Sequence, residues 1–213
     1  MDKKVNIEKD LSFTRQRSYK RFTKEQNPCF CVSGRFDVTN LIKQKKKGHS
    51  FNALLCYCVL LAGEKVNEFH YQIKEDGLYY FDHCKINVIV NSDNGSLYWG
   101  DVGYYDNFED FEKEYFRVCK YCKENNNHYF IDNGSLIATS AMIGFPFTSI
   151  TCTKSDSFWD NFVMWGQFEK KLFKTHLNIS LRFHHALVDG QQAAQYFATL
   201  QDEIKNLKTK NAR

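Results

Sequence analysis

Leu177-Asn-Ile-Ser-Leu-Arg-Phe-His-His-Ala-Leu-Val-Asp-Gly190 decides how this chain reads. Leu177, Ile179, Leu181 and Phe183 alternate with Asn178, Ser180, Arg182 and His184. Strand side chains point to opposite faces in turn, so this period of two predicts a half-buried strand. The same parity puts His185 at the end of the apolar face. Asp189 and Gly190 then break the strand. Ala194, Phe197, Leu200, Ile204 and Leu207 follow at three- and four-residue spacing, which predicts a helix. A histidine held where a buried strand meets a helix is placed to be a tuned base. It can equally be a satisfied core histidine beside an aspartate that caps the helix.

Upstream patterns supply the other elements. Residues 1–26 are charged, with two aromatic clusters. Residues 29–38 alternate as a strand, and Thr39 opens a helix-like segment after Asp37. Ser50 is placed to cap a helix running to about Val66. Tyr71-Gln-Ile-Lys74 and Leu78-Tyr-Tyr-Phe81 flank Glu75-Asp-Gly77, a hairpin signal. Residues 85–91 read as a strand. Phe108, Phe111, Tyr115, Val118 and Cys122 mark an amphipathic helix, ended by the polar stretch 123–128. Residues 137–153 are β-rich. No linker, repeat or low-complexity tract interrupts this order. It predicts an α+β fold, a mixed sheet with helices on one side, in a single domain over residues 1–213.

Composition narrows the function classes. A chain of 213 residues can bury a sizeable core, and its 19 Phe and 12 Tyr supply one. The formal net charge of +4 is mild. Two basic runs, 43–47 and 205–213, read as a solvated loop and a frayed tail, and no nucleic-acid-binding motif accompanies them. The N-terminus lacks the apolar core of a signal peptide, and the longest apolar run, 53–62, is too short to span a bilayer. A cytoplasmic protein without membrane contact is expected. The eight cysteines include Cys29/Cys31, Cys56/Cys58 and Cys119/Cys122. The last two pairs fall in helical patterns without the turn of a zinc knuckle, so reduced, mostly buried thiols and no metal site are expected.

His185-Ala-Leu-Val-Asp189-Gly190, preceded by His184, resembles the HxxxDG signature of chloramphenicol acetyltransferases and of the related acyltransferase cores of 2-oxo-acid dehydrogenase complexes. Other segments match the first family in the same order. Phe13-Thr-Arg15 resembles its aromatic-x-Arg, and Phe36-Asp-Val-Thr-Asn-Leu41 its strand-to-helix entry. Asn67-Glu-Phe69, Ile73 to Gly77 and Tyr80-Phe-Asp82 resemble its helix end, hairpin and following strand. Ser140 to Ser149 resembles its Ser-x-x-Pro-Trp-x-x-Phe-x-Ser segment. The resemblance covers nearly all of the chain. It implies a two-layer sheet-and-helix sandwich assembled as a homotrimer, with acetyl-CoA as co-substrate and chloramphenicol as hydroxyl acceptor.

The resemblance also assigns roles. His185 is the general base that takes the acceptor's proton. Ser140 donates a hydrogen bond to the oxyanion. Asp189 pairs with Arg15 to fix the loop that carries His185. Phe22, Tyr98 and Phe130 contribute to an aromatic acceptor pocket. Transfer is direct, in a ternary complex, and confers antibiotic resistance. Departures fall near the acceptor and coenzyme positions. Ile143-Gly144 stands where the family has Pro-Trp, Met164 where it has threonine, Gln167 where it has a coenzyme-facing lysine, and Gln192 where histidine is common. Two other readings follow from these: an acyltransferase with another hydroxyl or thiol acceptor, or a non-catalytic trimeric binding protein.

Overall fold

The computed structural model describes residues 2–152 and 161–211. In chain order its elements are β1 (Lys3–Lys4), α1 (Ile7–Asp10), α2 (Phe13–Phe22), β2 (Cys29–Asp37), α3 (Thr39–Lys45) and α4 (Phe51–Glu64). A 3-10 turn, Asn67–His70, leads into β3 (Tyr71–Lys74), β4 (Gly77–Tyr80), β5 (Cys84–Asn91) and β6 (Leu97–Val102). Then come α5 (Phe108–Asn125), β7 (Ser135–Ala141), β8 (Asn161–Trp165), β9 (Glu169–Lys171), β10 (Lys174–His184) and α6 (Gly190–Asn206).

The main sheet runs β2-β10-β8-β7-β5-β6, with β9 paired to β10. β7 pairs parallel with both β5 and β8, and the other neighbours are antiparallel. The sheet is therefore mixed, as the alternating elements predict. The hairpin β3–β4 stands apart and takes β1 as its third strand.

One face of the sheet carries the helices. A Cβ on Gly100 would come within 2.4 Å of Val118 on α5, and one on Gly34 within 2.8 Å of Phe197 on α6. Only glycine lets these helices lie so close to the strands. Between them runs α4, apolar almost throughout, with Ser50 capping it by accepting from the Ala53 amide at 3.4 Å. Leu54, Leu55 and Leu60 are fully buried there, and each such side chain contributes about 1.5–3 kcal/mol.

Among the described residues, the opposite face carries no helix. The segment 142–152 crosses it instead: the Asn178 amide donates to the Phe147 carbonyl at 2.7 Å, and the Ile150 amide donates to the Ser180 hydroxyl at 2.9 Å. This cover corrects the half-buried reading of β10. Ser180, Arg182 and His184, on the polar side of the alternation, are 0%, 3% and 2% exposed.

Other expectations also shift. The inward face of α6 is Ala193, Tyr196, Leu200 and Ile204, while Ala194 is exposed and Phe197 half-buried. The expected and observed faces differ by one residue in the first two turns and coincide at Leu200 and Ile204. Strand structure in the β-rich stretch stops at Ala141, and Thr153 lies outside the described residues. The run 43–47 begins in α3 rather than in a loop. The tail is held rather than frayed: Thr209 donates to Gln44 at 3.0 Å, and His49 meets the Lys210 carbonyl at 2.7 Å. Ala212 and Arg213 lie outside the described residues. Four cysteines, Cys56, Cys58, Cys84 and Cys122, are buried and four are half-buried. No helix of the described residues is long and apolar enough to cross a membrane.

Candidate active site

β10 ends at His184, and His185 opens the turn that leads to α6. The two histidines differ in kind. His184 is buried, and its Nδ1 accepts from the Ala186 amide at 3.2 Å, so it braces the turn. His185 is half-buried, and its own amide donates to the Pro28 carbonyl at 2.9 Å. The His185 ring is clamped by aromatics. Phe22 stacks on it with centroids 4.1 Å apart and planes 8° apart, and Phe30 leans on it at 4.9 Å. Its Nδ1 is buried without a hydrogen-bond partner among the described residues. Packing against Phe22 and Phe30 sets the imidazole's orientation. Phe30 was missed in the sequence, although its pairing with Phe183 across β2 and β10 puts it beside the turn.

Asp189 serves both roles that the sequence offered as alternatives. One carboxylate oxygen accepts from the Gln191 amide at 3.1 Å and caps α6. The other accepts from Arg15 at 3.3 Å. Gln192 closes a capping box by accepting from the Asp189 amide at 3.2 Å, which gives this departure from the family pattern a structural task. Arg15 comes from α2, which Ser12 caps by accepting from the Arg15 amide at 3.4 Å. Glu68 approaches the same guanidinium at 4.0 Å, a partner the sequence did not single out. The Arg15 side chain is 12% exposed. Removing one partner of such a pair leaves a largely desolvated charge, at a cost of about 3–5 kcal/mol if it were fully buried.

Ser140 lies elsewhere. It sits one residue before the end of β7, and its hydroxyl has no hydrogen bond among the described residues. Ser180 of β10, Met164 of β8 and Ser140 form one cross-strand row. Two strand spacings, about 10 Å, separate Ser140 from β10. From that row His184 lies a further ~13 Å along β10, toward the level where β7 begins. Within one chain Ser140 and His185 are therefore on the order of 15–20 Å apart. On the helix side of the sheet, a small cavity of about 110 Å³ lined by Asn52, Cys56, Tyr115 and Trp165 reaches the strand at Ser140. Burial pushes the Cys56 thiol up to about 12 and the Tyr115 phenol well above its usual range. Neither supplies an anionic nucleophile beside Ser140.

Tyr98 and Phe130 meet each other's surroundings rather than His185. Phe130 stacks on His128 at 5.4 Å, and Tyr98 meets the same ring edge-on at 5.6 Å. Tyr98 pairs with Val90 and so faces the helices, whereas Trp99 pairs with Ile89 and shares the Ser140 row. Of these two neighbours, Trp99 is the one on the face away from the helices.

Among the described residues one group of possible metal ligands occurs, Glu64, His70 and Cys84, with ligand atoms within 4.8 Å of one another. It does not suit a metal. Both His70 nitrogens meet backbone carbonyls, of Phe81 at 3.0 Å and Glu64 at 3.1 Å, and burial holds the Cys84 thiol protonated.

The fold thus presents a half-buried histidine on a turn that an arginine–aspartate pair pins to α2. The family model described as chloramphenicol acetyltransferase matches residues 4–201, and the chain belongs to that family. It is 21% identical over 205 residues to chloramphenicol acetyltransferase 2 of Escherichia coli, covering 93% of this chain and 96% of that protein. A solved chloramphenicol acetyltransferase superposes with a TM-score of 0.80 at 23% identity, over 96% of this chain and 100% of that one. A probable dihydrolipoamide acetyltransferase from Listeria monocytogenes superposes with a TM-score of 0.70 at 12% identity, over 99% and 97% of the two chains.

Proposed function

We propose that the protein is an acetyl-CoA-dependent O-acetyltransferase whose hydroxyl acceptor is chloramphenicol, acting as a homotrimer with its sites between subunits. The observation that carries this reading is the clamped His185 ring on a turn held by Arg15 and Asp189. In the reaction, Nε2 of His185 takes the proton as the acceptor oxygen attacks the thioester carbonyl. Ser140 of a neighbouring subunit donates to the oxyanion. Collapse breaks the carbon–sulfur bond, the proton passes to the leaving sulfur, and the products are acetyl ester and free CoA. No acyl-enzyme is needed, because positioning the two substrates lowers the barrier directly.

Two features support the split site. Ser140 and His185 are too far apart in one chain to act on one carbonyl. Ile89 and Leu97 on the helix-free face, and Met142, Ile143 and Phe145 beside it, are exposed. Apolar side chains gathered on one face suit a subunit interface.

A second cavity, of about 350 Å³, adjoins that of Ser140 and shares Asn52, Ile143 and Trp165 with it. Lys45 lies at this cavity, with its ammonium 5.9 Å from the Phe168 ring centroid. This groove suits a pantetheine arm reaching Ser140, with Lys45 toward the coenzyme's phosphates. It offers a cation where Gln167 has replaced the family's lysine.

Met164 in the Ser140 row, and Ile143-Gly144 after it, favour one alternative: the same chemistry on a different hydroxyl or thiol acceptor. Incubation with acetyl-CoA, chloramphenicol and a thiol reagent separates the readings. Rapid CoA release is expected. Release only with another acceptor would support the alternative, and none with any acceptor would leave a non-catalytic binding protein.

A further inference from the structure

The face of the sheet that carries Ser140 also carries a buried charged pair for which the transfer chemistry has no use. Lys85 of β5 and Asp101 of β6 are both buried, with Nζ 2.8 Å from Oδ2. Asn87 joins them, its amide donating to Oδ1 of Asp101 at 2.6 Å, and the Ile131 backbone amide donates to Oδ2 at 3.3 Å. Lys85 also donates to the Ile131 carbonyl. An ammonium has three N–H groups. Two are used here, and the third has no partner among the described residues. A buried ion pair seldom stabilises a fold more than apolar side chains of the same size, so stability alone does not account for this lysine. The strand register fixes where the pair lies. Ala138, two residues before Ser140 on β7, faces the same way, Asn87 pairs with Ala138, and Asp101 pairs with Asn87. Asp101 is therefore on the order of 12 Å from Ser140 across that face. A cavity of about 260 Å³ opens at the pair, lined in part by Phe81, Lys85, Asp101, Phe130 and Leu136. Apolar walls with one unused N–H among them suit a flat, uncharged group that accepts hydrogen bonds.

We propose that Lys85, held in place by Asp101 and Asn87, is a specificity-determining residue whose third N–H binds an uncharged oxygen at the far end of the acceptor, the nitro group in the case of chloramphenicol, while the reacting hydroxyl lies at Ser140. The proposal rests on Ser140 marking the centre of transfer. The separation suits an acceptor whose hydroxyl and end group are joined through a short chain and an aromatic ring, with Phe130 against that ring. Asp101 balances the ammonium, so the subsite asks for no counter-charge from the acceptor. The contact is remote from the thioester carbonyl and is made equally before and during transfer. It should therefore act through KM rather than kcat.

The test compares chloramphenicol with two analogues in which acetyl or isopropyl replaces the nitro group. Acetyl keeps one oxygen, and isopropyl keeps the shape of nitro with none. The wild type is expected to show kcat/KM about tenfold lower for the isopropyl than for the nitro compound, carried by KM, with the acetyl compound between them. In Lys85→Met/Asp101→Asn the nitro-to-isopropyl ratio should fall to about one. The double substitution leaves no unpaired charge and keeps an oxygen for the Asn87 amide, whereas Lys85→Met alone would strand the Asp101 carboxylate. Equal kcat/KM for the nitro and isopropyl compounds in the wild type would overturn the proposal, whether or not the variant folds. So would an unchanged ratio in a variant whose circular dichroism matches the wild type. If none of the three compounds releases CoA, the acetyl-transfer reading fails on its own. Calorimetric titration of the nitro and isopropyl compounds into the wild type then reads the Lys85 contact separately, and equal affinities would overturn it.

Discussion

His185→Ala is expected to lower kcat for acetyl transfer by about 10²–10⁴-fold, the range for losing a positioned proton acceptor. Substrate binding should change far less. The ring stacks on Phe22 and leans on Phe30 in the turn beyond β10, so its loss opens space without unseating the strand. His184→Ala should behave in the opposite way. His184 is 2% exposed and accepts the Ala186 amide, so removing it leaves a cavity and an unpaired donor. That costs on the order of 2–3 kcal/mol of stability and shows first as a lower Tm. Steady-state kinetics and thermal melts on both variants separate the two histidines. Equal activity in wild type and His185→Ala would remove the base.

Asp189→Asn is expected to reduce kcat by about 100-fold, since displacement of a reacting group by about 1 Å costs that much. Asparagine keeps an oxygen to cap the Gln191 amide but loses the charge that faces Arg15. The substitution therefore isolates the ion pair from the cap. Arg15→Met should give a similar loss and leave Asp189 and Glu68 facing each other without a cation. The double variant should be no worse than the worse single, because two groups acting as one unit are not additive. KM should move less than kcat, as neither residue is expected to touch substrate. Strictly additive losses in the double-mutant cycle would mean that Asp189 is only a cap and Arg15 only a charge.

Where the sequence carried strong local signals, the fold was legible. Ser50 caps α4, Gly77 turns the β3–β4 hairpin at φ 145°, and Phe108, Phe111, Val118 and Cys122 form the buried face of α5. α2 escaped because it buries no residue and shows no apolar stripe. Its one local signal is the cap residue Ser12. β6 also escaped, since Gly100 and Asp101 interrupt its apolar run. The site divides in the same way. Arg15 and Asp189 are 174 residues apart, and with Arg17, Lys20 and Arg21 nearby only the match to a family motif could choose Arg15. Parity could not rank the two histidines by burial. The polar face of β10 is covered by a segment whose course no local pattern reveals. Tyr98 and Trp99 illustrate the same limit: a shift of one residue along a strand moves a side chain to the other face.

The base and the oxyanion donor of each site are expected to come from different subunits. His185→Ala and Ser140→Ala chains, refolded together in equal amounts, test it most directly. Each variant alone should be nearly inactive. In mixed trimers about a quarter of the interfaces pair an intact His185 with an intact Ser140, so activity should rise to about a quarter of the wild-type value per site. No gain over the separate variants would mean that the two groups do not meet across a subunit interface.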